Sequence, residues 1–123
     1  MILLCESALI ESINDPNIRC LVERRFNQLG ASDGQMIVVE PGDSVEALEK
    51  SSGCPILRDL FDECRFPDDG FAPAFEVLED HGCCYEMVFI FTDDGSGVEL
   101  FIPKREGVDP QLLAMCAQYA VPV

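Results

Sequence analysis

Basic residues are scarce in this chain: eight lysines and arginines stand against 23 acids in 123 residues, a net charge of −15 with a pI near 4.1. A surface of that sign repels phosphate backbones and anionic lipid head groups, and it speeds the approach of basic partners or cations. Direct binding to nucleic acid or to a membrane is therefore not expected. Histidine is scarcer still. His81 is the only one, so imidazole-dependent catalysis, or metal ligation by imidazole, has to be built on it. Long hydrophobic runs are missing as well: stretches such as Met87 to Phe91 fall far short of a membrane span.

Several motifs are also absent. There is no C-x-x-C, no G-x-G-x-x-G and no G-x-S-x-G elbow, which removes the usual local signatures of zinc ribbons, dinucleotide sites and α/β-hydrolases. The stretch "DDGSGVE" lacks a P-loop lysine. It misses the calcium-loop pattern too, because the twelfth position from Asp93 is Lys104 rather than Glu. A hairpin turn using glycine at positive φ accounts for it. The opening residues "MILLCESALIESI" carry neither the basic start nor the small-residue cleavage site of a signal peptide. With seven irregularly spaced cysteines, at 5, 20, 54, 64, 83, 84 and 116, a cytoplasmic protein with reduced thiols is the expectation.

What is present describes an ordinary globule. The chain is 48% apolar and 25% charged, too apolar for a disordered acidic tail. Its length suits a single domain, residues 1–123, that buries roughly two thirds of its unfolded surface.

Local patterns predict the elements. Residues 2–13 read as a helix. Asp15-Pro16 is an N-cap followed by a proline suited to the first helical position. Ile18, Leu21, Val22, Phe26 and Leu29 then recur at helical spacing until Gly30, giving a helix over 16–29. Arg19, Glu23 and Arg24 fall on its outer face as solvated pairs. A short strand follows at about 36–40. Asp43 with Glu46 reads as a capping box that opens a short helix, and "CPILRDLFDECRF" predicts another. "PDDGFAPAF" is a loop.

From Phe75 to Pro103 the period changes. "FEVLED", "CYEMVFIFT" and "VELFIP" are strand-like runs separated by His81-Gly82 and "DDGSG", and Asp109-Pro110 opens a last helix. The expected fold is α+β: a three-stranded antiparallel meander at about 75–103 plus one further short strand at about 36–40, packed by four to five helices.

Two readings of function come from these residues. The acids are uneven: residues 40–80 hold 12 acids against three bases, a net −9. Within them Asp59, Asp62, Glu63, Phe66, Asp68, Asp69 and Phe71 mix acids and aromatics around prolines, a pattern suited to docking a basic, partly apolar partner. The first reading is therefore a non-enzymatic module (inhibitor, adaptor, antitoxin-like or nucleic-acid mimic) that binds a basic protein and needs no cofactor.

The second reading is a thiol- or zinc-dependent enzyme centred on His81 and Cys83. Its difficulties are local. Only three soft ligands, His81, Cys83 and Cys84, lie close in sequence, and adjacent strand residues point to opposite faces. Glu79, Asp80 and Glu86 surround the pair with negative charge, which disfavours a thiolate. A disulfide between Cys83 and Cys84 would be strained, since adjacent Cα atoms sit about 3.8 Å apart. Paired acids such as Asp62-Glu63, Asp68-Asp69 and Asp93-Asp94 show no spacing that singles out a catalytic pair.

Overall fold

A computed structural model of the chain describes residues 1–29, 35–52, 77–90 and 97–123. Within them the element order is β1 (Ile2–Leu3), a 3-10 helix (Ser7–Ser12), α1 (Pro16–Leu29), β2 (Gln35–Val38), α2 (Val45–Ser52), β3 (Val77–Asp80), β4 (Cys84–Ile90), β5 (Gly97–Pro103), α3 (Pro110–Tyr119) and β6 (Val121–Pro122).

The strands form one six-stranded mixed sheet in the order β1-β2-β5-β4-β3-β6. This corrects the expected three-stranded meander with one added strand. Strands β3, β4 and β5 do pair antiparallel in succession, but β2 lies parallel to β5 and β6 lies parallel to β3, while β1 pairs antiparallel with β2. The reason is burial on both faces. Met36, Ile37, Val38 and Val39 are all buried, and so is every residue from Val98 to Ile102. Two such continuously buried runs, apolar except for Glu99, suit a parallel pair in the sheet interior, with helices over each face. The two-residue strands β1 and β6 are too short to carry a period at all. Residues 2–13 thus form a strand and a 3-10 helix rather than the predicted α-helix.

Alternation along the strands divides the core in two. Ile37, Val39, Leu78, Tyr85, Met87, Val98, Leu100 and Ile102 face α2 and α3, where Val45, Leu48, Leu112, Met115 and Cys116 complete a cluster. Met36, Val38, Cys84 and Phe101 face the other way and meet Ile10, Ile13, Ile18, Leu21 and Val22 from the 3-10 helix and α1. Burying residues of this size stabilises the fold by about 1.5–3 kcal/mol per side chain.

Capping follows local chemistry. Asp15 Oδ1 accepts from the Asn17 and Ile18 amides, and Asp109 Oδ1 accepts from Gln111. For α2 the cap moves by one residue. Ser44 Oγ accepts from the Ala47 amide, while Asp43 is drawn away to the Glu40 amide and the terminal ammonium of Met1. Arg19 is likewise diverted from its expected surface pairing. Its Nε donates to the Ile13 carbonyl at 2.9 Å, tying α1 to the end of the 3-10 helix. Among the described residues, no helix is long and apolar enough to cross a membrane.

Candidate functional site

The β3–β4 turn holds His81 in a fixed place. Gly82 takes φ 85°, a conformation that glycine adopts without strain, and its amide donates to Asp80 Oδ1 at 2.8 Å. The His81 amide donates to the Cys84 carbonyl, the Lys104 amide donates to the Cys83 carbonyl, and Lys104 Nζ reaches Asp80 Oδ1 at 2.6 Å. Turn and neighbouring strand are thereby bonded at several points. The hydrogen bond from Lys104 holds the Asp80 carboxyl below its usual range, helped by the Gly82 amide.

This turn brings His81 back over the sheet face that packs on α1. There the register sets Glu79 of β3 directly opposite Glu86 of β4, and Glu99 of β5, opposite Val88, is the diagonal neighbour of Glu86. Glu86 and Glu99 are buried, with side chains 5% and 4% exposed. Their partner is Arg25 of α1, whose Nε lies 3.0 Å from Glu86 Oε2 and 3.1 Å from Glu99 Oε1. His81 Nε2 lies 2.9 Å from Glu86 Oε1 and 3.5 Å from Glu79 Oε2. Glu86 thus bridges Arg25 on one oxygen and His81 on the other.

The charges do not balance by themselves. Among the described residues two buried carboxylates share one guanidinium: Glu86 Oε2 meets Arg25 as an ion pair without hydrogen-bond geometry, and Glu99 Oε2 has no hydrogen-bond partner. Burial is the main force on Glu99 and pushes it up; the adjacent Glu86 adds to this and Arg25 only partly opposes it, leaving Glu99 at about 8. Burial also raises Glu86, but hydrogen bonds from Glu99 and His81 together with the Arg25 charge outweigh it and leave Glu86 below the usual carboxylate range. The two carboxyls therefore retain one proton into the neutral range, formally on Glu99.

Beside His81 a cleft of about 400 Å³ opens between α1 and the turn, lined by Asn17, Cys20, Leu21, Arg24, His81 and Cys83. Arg24, expected as a solvated surface charge, borders this cleft. Cys83 precedes the strand, so the expected alternation with Cys84 has not begun, and both thiols border the cluster under α1. Both are free. Burial first, then Cys83 and Glu86, raises Cys84, which leaves it a poor nucleophile.

Of the residues picked out by sequence, His81 and Cys83 meet at this cleft, whereas Asp59, Asp62, Glu63, Phe66, Asp68, Asp69 and Phe71 lie outside the described residues. Among the described residues, the one group of histidine, cysteine and acidic side chains arranged to hold a metal ion is Glu79, His81 and Glu86, with ligand atoms all within 4.8 Å of one another. Sequence reasoning treated Glu79 and Glu86 only as charge near a thiol and passed over Glu99 and Arg25. The available signal was a lone acid in the middle of each of two apolar strands, "CYEMVFIF" and "VELFIP". Such a residue needs a buried partner.

No protein-family model matches the chain, and neither a curated protein nor a solved structure does.

Proposed function

We propose that the chain is a non-enzymatic interaction module that binds a basic protein partner through acidic residues 40–80, in the manner of an inhibitor, an adaptor, an antitoxin or a mimic of nucleic acid. The observation that carries this reading is the distribution of charge: a net −15 overall, of which −9 falls within residues 40–80. A field of that strength steers a cationic partner and selects against anionic ones. The reading of a thiol- or zinc-dependent enzyme centred on His81 and Cys83 has less behind it, since Cys83 stands outside the group of ligand atoms gathered at His81 among the described residues and the thiol next to Cys83 is buried.

The test is capture of a basic protein from a host lysate at low salt, with release as salt is raised. The variant Asp62→Asn, Glu63→Gln, Asp68→Asn, Asp69→Asn is expected to lose that capture. Capture that persists in the variant, or no partner at low salt, overturns the reading.

A further inference from the structure

We propose that Glu79 Oε2, His81 Nε2 and Glu86 Oε1 form a three-ligand site for a divalent cation of the zinc type, reached from the cleft between α1 and the β3–β4 turn. The spacing fits. Zinc bonds of about 2.0–2.2 Å in a tetrahedral shell hold neighbouring ligand atoms about 3.3–3.5 Å apart. His81 Nε2 already lies 2.9 Å and 3.5 Å from the two carboxylate oxygens, so these two pairs need to shift by only a few tenths of an ångström. Glu79, 42% exposed, is free to swing and close the remaining pair.

The donor set selects the ion. One imidazole and two carboxylates suit a borderline cation such as zinc; magnesium and calcium prefer all-oxygen shells, and copper(I) prefers sulfur. Charge favours the ion as well: the Glu79 and Glu86 carboxylates both face His81 Nε2, and among the described residues the permanent cation beside them, Arg25, is shared by Glu86 with Glu99. A second layer of contacts is already in place. Arg25 holds the far oxygen of Glu86 at 3.0 Å, as outer partners of metal-bound carboxylates do. His81 lines the cleft, which supplies an entry path, and Cys20 and Cys83 on the same cleft are absent from the three-ligand group.

The experiment is calorimetric titration of chelator-stripped, reduced protein with zinc chloride, alongside melting curves with and without the metal. One equivalent is expected to bind and to raise Tm, and millimolar magnesium is expected not to compete. His81→Ala is expected to abolish this binding. Glu79→Gln, at a half-exposed position where misfolding is not expected, should weaken it by roughly tenfold or more, comparable with or beyond the loss of an outer partner. The double variant Cys20→Ser, Cys83→Ser should bind within about twofold of the parent. Absence of zinc binding, unchanged affinity in Glu79→Gln, competition by magnesium, or loss of binding in the thiol variant overturns the proposal.

Discussion

Replacing Arg25 by Met keeps much of the aliphatic bulk of the side chain but removes the guanidinium that, among the described residues, pairs with both Glu86 and Glu99. Both carboxylates are almost fully buried and their oxygens lie 3.0 and 3.1 Å from Arg25 Nε, and stripping one partner from a buried ion pair costs about 3–5 kcal/mol. Two effects reduce that figure here. Arg25 is 31% exposed, so solvent screens part of the interaction, and the carboxyl pair can respond by holding a proton more tightly; the expected loss at pH 7 is roughly 2–3 kcal/mol.

The loss should depend on pH, and its sign follows from Glu99. That carboxyl is raised from 4.5 to about 8 in the fold. Its contribution to stability is fully present below the unfolded value and disappears as pH rises through the folded one, at about 1.4 kcal/mol per unit between them. Glu86, held low, works in the opposite sense and only in acid, so it does not alter the trend between pH 5 and 8. Without Arg25 the proton is bound more tightly still, so below about pH 8 both proteins lose stability at the same rate and the deficit of Arg25→Met stays at roughly 2–3 kcal/mol; it widens only above about pH 8, where the parent's Glu99 ionises and the variant's does not, by up to about 1.4 kcal/mol per unit. Glu99→Gln imitates the protonated carboxyl. It should match the parent within about 1 kcal/mol at pH 5 and exceed it at pH 8. Urea melts of metal-free protein across this range, followed by circular dichroism, give these differences. A deficit for Arg25→Met that fails to widen as the melts are carried from about pH 8 to about pH 9.5, or a Glu99→Gln protein less stable than the parent at pH 8, refutes the shared-proton network.

Glycine positions give a second comparison. Gly82→Ala meets no atom within 4 Å, so only backbone strain at φ 85° is expected, about 1–2 kcal/mol; Gly107→Ala should cost more, because its new Cβ would lie 3.0 Å from Pro41 Cβ. Denaturant midpoints for the two variants check the order. Ser44→Ala should lose about 1 kcal/mol as the true cap of α2, and a melt that shows no change would return the capping role to Asp43. In timed alkylation of native protein, exposed Cys5 and Cys20 should react first, whereas buried Cys84 and Cys116 should react only on unfolding. Fast labelling of Cys84 would contradict its placement under α1.

The helices over 16–29 and after Asp109 were legible because cap, proline and apolar period agree at those places. The sheet was only partly so. Runs of β-branched and aromatic residues locate β2 to β5, but pairing is a long-range property: nothing in "QMIVVEP" alone says that it will lie parallel to "VELFIP" some sixty residues on. The site suffered in the same way. His81 stood out by its rarity, yet its partners come from β3, from the middle of β4 and, through Glu86, from α1. Glu86 and Glu99 were visible as misplaced charges within apolar strands. Arg25, in contrast, looks like any other helix cation until the packing of α1 is known.

For the proposed binding of a basic protein, the most direct measurement is hydrogen exchange of the chain with and without the captured partner. Slowed exchange concentrated within residues 40–80, and lost at high salt, is the expected result. A footprint elsewhere that leaves 40–80 unchanged, for example one confined to α1 and the His81 turn, would contradict it.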